Sequence, residues 1–477
     1  MSWETVIGLE IHIQLATKSK IFSPAKAAYC ESPNQQVREV DFGMPGALPV
    51  LNRAAVDYAL RLGVAMGCDI APLSEFARKN YFYPDLPKGY QISQFEYPLL
   101  IGGKMTIDTA DGEKIVGITR AHLEEDAGKL LHDVGIGSGV DLNRAGVPLL
   151  EVVSEPDMCS PEEASAYGKV MRHLVCWLDI CDGNMQEGSF RMDANISLRR
   201  PGEPLGSRCE IKNLNSFRFL EQALNYEIAR QREVLESGGK VAQETRLFDS
   251  HRGETRAMRD KEDAHDYRYF PDPDLPPLAV SEEWITQTRA DMPELPHVRR
   301  ARFMNELGLS AYDAGILTSA RDLAEYFEST LAEMPSDKNA AKTCANWVCG
   351  EFSALLNKNR MSAADCPVSP ARLAVLLQRL VEGAVSAAAA KIVLEKMWDG
   401  EDVDEVIQRE GLAQISDETA LEKIADDIIA AHPQQVGQFR AGKEKIFGFF
   451  VGQMMKATRG QANPATANEI LRRKLSS

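Results

Sequence analysis

The chain has 477 residues, 44 % of them hydrophobic, and a formal net charge of −16. It is long enough for roughly two to four domains and too acidic for indiscriminate binding to nucleic acid. No window approaches the ~18 to 20 uncharged apolar residues that cross a bilayer, so no membrane partner is expected.

Val6 to Leu15 alternates with a strict period of two. Leu9, Ile11, Ile13 and Leu15 point one way, as a strand packed on a core requires, and Glu10, His12 and Gln14 the other. Because this strand begins almost at the N-terminus, it leaves no room for a signal or transit peptide, and a cytoplasmic protein is expected. Turns at Gly43-Met44-Pro45-Gly46 and Ala110-Asp111-Gly112 separate further short strands. The strand-like run Val116 to Thr119 precedes His122-Leu123-Glu124-Glu125-Asp126. Successive strand side chains face opposite ways, so one of Glu124 and Glu125 is expected at a metal and the other elsewhere. Leu149 to Val153 sets Glu151 inside an apolar run, where it serves a metal or a buried ion pair.

A helix opens at Ser160-Pro161-Glu162-Glu163 with a Ser cap, a Pro at the first position and a capping-box Glu, and it ends before Gly183. Arg191 to Leu198 repeats the first strand's design, with Arg191, Asp193, Asn195 and Ser197 on one face, and Arg208, Glu210 and Lys212 share a side of the next run. A second helix runs from Ser216 to Gly238-Gly239 with Leu220, Leu224, Ile228 and Leu235 on its packing stripe. The proline-stiffened stretch 267–278 and Met292-Pro293 lead to a boundary near residue 295, beyond which helix starts are read at Ser310, Ser336, Ser369, Ser416 and Asn463. Gly400-Glu401-Asp402 marks a second boundary. The expected organisation is residues 1–294 as an α+β domain with a mostly antiparallel sheet, 295–400 as an all-helical domain, and 401–477 as a small helical tail.

Charges of both signs at alternate positions on three strands point to one sheet whose open face binds a metal-nucleotide complex, acidic oxygens suiting hard divalent cations and Arg or Lys suiting phosphate. An ordinary amphipathic strand with a solvated face is the alternative. The nine cysteines show no framework and no CxxC pair and read as reduced thiols, so no zinc is expected. From Arg440 on, cations outnumber Glu444 and Glu469, and such a tail binds RNA locally.

Val6-Ile7-Gly8-Leu9-Glu10-Ile11-His12, Tyr83-Pro84-Asp85-Leu86-Pro87-Lys88-Gly89-Tyr90, Asp141-Leu142-Asn143-Arg144-Ala145-Gly146-Val147-Pro148, Glu187-Gly188-Ser189-Phe190-Arg191-Met192-Asp193, Glu210-Ile211-Lys212-Asn213 and Gly448 to Pro464 resemble signatures of the B subunit of tRNA-dependent amidotransferases. The resemblance covers essentially the whole chain. It implies a catalytic domain similar to the glutamine synthetase and guanido kinase fold, using ATP and Mg2+. It also implies a heterotrimer with an amidase A subunit and a small C subunit, and conversion of Glu-tRNA(Gln) or Asp-tRNA(Asn) to Gln-tRNA or Asn-tRNA.

On that resemblance Glu10, His12, Glu124, Glu151, Asp193 and Glu210 are the candidate metal shell, more than one ion needs, so some stand behind the ligands or serve a second ion; His12 is an unusual magnesium ligand, and a hydrogen bond to metal-bound water is its alternative. Ser189, Arg191 and Lys212 are candidate phosphate contacts. Lys79, Lys88 and Glu125 match positions suited to a polar path for ammonia, and with Glu10 and His12 they make up the candidate catalytic set. Lys456, Arg459, Arg472 and Arg473 are candidate tRNA phosphate contacts. Some relatives carry a zinc knuckle where this chain has Ser23, Ala25, Arg38 and Asp41, which reinforces the expectation of no zinc. A non-catalytic tRNA-binding scaffold leaves the acidic faces unexplained, and a self-contained metal hydrolase lacks a nucleophile constellation.

Overall fold

The computed structural model describes residues 2–30, 32–134, 137–258, 266–335, 339–415, 418–458 and 460–476. It divides into two compact units, Met1–Leu295 and Pro296–Ser477. The first is rich in sheet and the second is helical.

The spine of the first unit's large sheet includes β1 (Glu4–Gln14), β2 (Ala77–Asn80), β3 (Tyr90–Ser93), β4 (Gly112–Glu125), β5 (Pro148–Ser154), β6 (Phe190–Arg199), β7 (Cys209–Lys212), β8 (Glu244–Asp249) and β9 (Glu254–Ala257), with the short strand Phe270–Pro271 beyond β2. Their spatial order is β9-β8-β7-β6-β1-β5-β4-β3-β2. Along this path every pairing is antiparallel except that of β7 with β8. The long pairing of β1 with β6 and β5 puts the alternating strand at the centre, where its apolar side is sealed: Ile7, Leu9, Ile11 and Ile13 are at most 1 % exposed. β4 runs from Gly112 through Glu125, well beyond the Val116 to Thr119 read from sequence; an irregularity in its pairing between Ile118 and Arg120 shifts the buried side from Val116 and Ile118 to Ala121 and Leu123 and leaves His122 and Glu124 on the other.

Helices α1 (Arg53–Met66), α2 (Pro161–Trp177) and α3 (Phe217–Glu236) supply side chains to the same apolar core, among them Leu60, Tyr167, Met171 and Leu224. Each is capped by a side-chain oxygen: Asn52 accepts from Ala54 N–H, Ser160 from Glu163 N–H and Ser216 from Phe219 N–H. The expected capping box is modified, since Glu163 accepts from the Cys159 N–H at 2.7 Å and from Lys114 Nζ at 2.8 Å. Behind β7 and β8 lies Glu227 on α3, fully buried and accepting from Arg230, Gln231 (3.0 Å) and Thr255 (2.9 Å), with Arg246 at 3.3 Å.

In the second unit Ser310 and Ser369 cap helices Ala311–Leu317 and Pro370–Val381, as their positions predict, while Ser336 and Ser416 lie outside the described residues. Helix Val403–Arg409, capped by Asp402, pairs its Asp404 with Arg379 at 2.9 Å. The last helices close around Leu421, Ile428, Phe450, Met454 and Leu471. Phe450 and Met454 are core, whereas Phe449 stays 36 % exposed.

Candidate functional site

The polar face of the sheet is assembled by register. His12 lies opposite Arg191 on one side and Glu151 on the other, and Glu151 lies opposite His122. Directly paired residues point to the same face, so one row across four strands reads Arg191, His12, Glu151, His122. Glu10 lies opposite Asp193 in the next row, and Glu124 projects from the same face two residues beyond His122. This face borders a cavity of about 460 Å3 whose walls include His12, Lys79, Glu124, Glu151, Arg191, Asp193 and Lys212.

Within it His12, Glu124 and Glu151 converge, their ligating atoms all within 4.8 Å of one another. His12 Nε2 is 3.4 Å from Glu151 Oε2 and 3.7 Å from Glu124 Oε1. Burial opposes a charge on His12, but the hydrogen bond and charge of Glu151, with Glu124 behind it, raise its pKa to about 9. Burial and the Glu151 charge push Glu124 up to about 7. Glu151 is also desolvated, yet His12 and His122 hold its carboxyl below the usual range.

The other three candidate metal ligands extend away from that group, Glu10 two residues before His12 on β1, Asp193 on β6 and Glu210 on β7. Asn195 donates to Glu10 at 2.8 Å, and burial, followed by the Glu151 charge, raises the Glu10 pKa. Lys212 Nζ lies 3.2 Å from Asp193 and 2.9 Å from Glu210, so an internal ammonium neutralises that pair. Arg191 donates to Asp126 at 3.1 Å and keeps a buried Nε–H without a hydrogen bond among the described residues. Ser189 does not line the cavity; its carbonyl accepts from Gln14 N–H at the mouth of β6. Glu125 faces away from Glu124, accepting from the Ile92 N–H at 2.9 Å and from Lys88. Lys79 lines the cavity with its ammonium 4.8 Å from the centre of the Tyr267 ring.

Two residues of the face escaped the sequence reading. His122, 2 % exposed, and Arg120, whose guanidinium lies 5.0 Å from the Phe95 ring centre, share the phase of Glu124. The signal available was the phase shared with Glu124, which the irregularity between Ile118 and Arg120 hides from an alternation carried on from Val116.

In the second unit Lys456 is exposed, Arg472 lies over the Phe447 ring at 5.0 Å, and Arg473 pairs with Glu422. Arg459 lies outside the described residues. At the positions aligned with the zinc knuckle, Asp41 accepts from Ser23 Oγ (3.0 Å) and Arg38 N–H (2.8 Å), and buried Lys20 stands 3.4 Å away.

A family model described as the GatB/GatE catalytic domain matches residues 5–286, and one described as the GatB domain matches 325–475. The B subunit of the aspartyl/glutamyl-tRNA(Asn/Gln) amidotransferase of Thioalkalivibrio sulfidiphilus is 58 % identical over 479 residues, covering 100 % of both chains. The protein of the same name from Alkalilimnicola ehrlichii is 58 % identical with the same coverage, and that from Syntrophotalea carbinolica is 54 % identical over 99 % of this chain and 98 % of its own.

Proposed function

The chain belongs to the GatB family, and from that premise we propose that it activates misacylated Glu-tRNA(Gln), Asp-tRNA(Asn) or both with ATP and transfers ammonia to the activated carboxyl. The observation that carries this reading is the single sheet face on which His12, Glu124 and Glu151 converge beside the cations Lys79, Arg191 and Lys212. A side-chain carboxylate is a poor acyl donor to ammonia because its leaving group is an oxide, and phosphorylation by ATP supplies a better one, phosphate leaving as the acyl–nitrogen bond forms.

A divalent cation, Mg2+ in the nucleotide complex, neutralises phosphate charge in such chemistry. The donor set fits a cation: two carboxylates face one imidazole, and burial together with the Glu151 charge raises the Glu124 pKa, a penalty that a bound cation relieves. Glu10, Asp193 and Glu210 extend the acidic surface on the other side. The buried Nε–H of Arg191 and the Lys212 ammonium face the same space and suit phosphoryl oxygens. The fold of the first unit is read as glutamine synthetase and guanido kinase-like, a cradle of antiparallel sheet.

The ammonia comes, on this reading, from the amidase A subunit of a heterotrimer completed by a small C subunit, and Lys88 and Glu125 with Lys79 mark its path. The tail from residue 401 contacts tRNA phosphates through Lys456, Arg459, Arg472 and Arg473. Reconstitution with A and C subunits, ATP, glutamine and each mischarged tRNA tests the proposal. The expected result is amidated product that requires ATP and this chain, and ATP-independent product formation rejects it.

A further inference from the structure

Arg120 stands in a second row of the same sheet face. Asp193 lies opposite Glu10, Glu10 opposite Val153, and Val153 opposite Arg120, with Ile101, 48 % exposed, beyond it. Each member is two residues along its strand from the row that holds His12 and Glu151, so both rows face the same way. Arg120 therefore borders the acidic group from β4, across from Arg191 on β6 and Lys212 on β7. Those two cations are already paired, Arg191 with Asp126 and Lys212 with Asp193 and Glu210. Arg120 has neither a hydrogen bond nor an ion pair among the described residues, and its Nε is buried.

The guanidinium is nonetheless held in place. Its central carbon lies 5.0 Å from the centre of the Phe95 ring, and Phe95 stacks on Tyr269 with centroids 4.5 Å apart and planes 11° from parallel. A guanidinium laid on an aromatic face spends its flat side on the ring and keeps its fork of N–H donors for a ligand at its edge. That fork matches the two oxygens of a carboxylate. The proposed chemistry needs a carboxylate on this side. Phosphoryl transfer sets the attacking and leaving oxygens roughly in line, so with nucleotide phosphates at Arg191 and Lys212 the acceptor comes from the β4 side. The backbones of β6 and β4 are three strand spacings apart, about 14 Å, which leaves room for both anions between them.

We propose that Arg120, braced on Phe95, pairs with the side-chain carboxylate of the Glu or Asp carried by the misacylated tRNA, and that this pair makes the site favour the acid substrate over its amide product. The proposal rests on the function proposed above. One carboxylate oxygen attacks the γ-phosphorus of ATP as the bond to ADP breaks. Ammonia nitrogen then bonds to the acyl carbon, and the phosphate that leaves takes the proton that nitrogen gives up. The amide so formed is neutral, so the charge that Arg120 held is gone and the product is released.

The test uses the heterotrimer reconstituted with A and C subunits. Without ATP, filter binding compares the mischarged tRNA with the same tRNA carrying the amide. The parent complex should bind the acid form about tenfold or more tightly than the amide form, and Arg120→Gln should bind both alike. With ATP and glutamine, Arg120→Gln should raise KM for the mischarged tRNA by a similar factor and leave KM for ATP unchanged. Arg120→Lys, which keeps the charge without the fork, should recover only part of the loss. Equal binding of the acid and amide forms by the parent complex overturns the proposal and needs no variant, so a folding defect in Arg120→Gln leaves it falsifiable. A rise in KM for ATP alone gives Arg120 to the nucleotide and overturns it too, as does an unchanged KM for both substrates. Failure of the parent complex to form amide with ATP instead rejects the function beneath the proposal.

Discussion

Replacing Lys88 by methionine strands a carboxylate in the wall of the sheet. The Lys88 and Glu125 side chains are 9 % and 4 % exposed, and among the described residues the Glu125 carboxylate otherwise accepts only from the Ile92 N–H. Removing one partner of a buried pair leaves an uncompensated charge, so Lys88→Met should cost about 3–5 kcal/mol. Adding Glu125→Gln removes that charge, and the amide oxygen still accepts from Ile92 N–H, so the double variant should return to within about 1 kcal/mol of the parent. Equilibrium urea unfolding of the full chain, followed by near-ultraviolet circular dichroism, measures all of these variants. A loss below about 1 kcal/mol for Lys88→Met, or a double variant no more stable than the single one, refutes the reasoning. The stable double variant also separates staple from path: if the charges guide ammonia, it loses glutamine-dependent amidation in the reconstituted complex and keeps amidation driven by added ammonium salt.

Glu10→Gln should abolish ATP-dependent product formation and leave tRNA affinity unchanged, as read by acid-gel analysis of product and by filter binding; normal turnover in the variant contradicts the metal assignment. The Glu227 pKa lies below its usual 4.5 because donation from Arg230 and Gln231 outweighs burial. Its stabilisation is therefore complete above pH 4.5 and lost as pH falls through the lowered native value, and the gap in urea midpoint between the parent and Glu227→Gln should close on acidification, a pH-independent gap being the contrary result. Lys456→Gln should weaken tRNA binding and reduce the slope of log K against log salt by about one, whereas an unchanged slope removes Lys456 from the interface.

Local physics made much of this chain legible. Period-two alternation identifies the polar faces of β1, β6 and β7, because side-chain direction along a strand needs no knowledge of neighbours. Serine caps at Ser160, Ser216, Ser310 and Ser369 are equally local. What alternation does not contain is which strand lies beside which. Six carboxylate and imidazole candidates are equivalent until register pairs His12 with Glu151 and Glu151 with His122, and until Lys212 is found between Asp193 and Glu210. Ser189 has the right phase, but its carbonyl is taken up by β1. In the tail, Arg473 and Lys474 read as free cations until Glu422 and Asp426 come alongside them.

The row from Arg191 to His122 has a consequence for how this protein can vary. Its chemistry is inscribed crosswise, one letter per strand, so a lone insertion or deletion inside β1, β4, β5 or β6 would invert every later side chain of that strand and erase its letter. Turns between the strands can lengthen or shrink freely by comparison. Tolerance to length change should therefore be banded along the gene, sharply low over these four segments and relaxed between them, a pattern that deep insertion scanning reads directly.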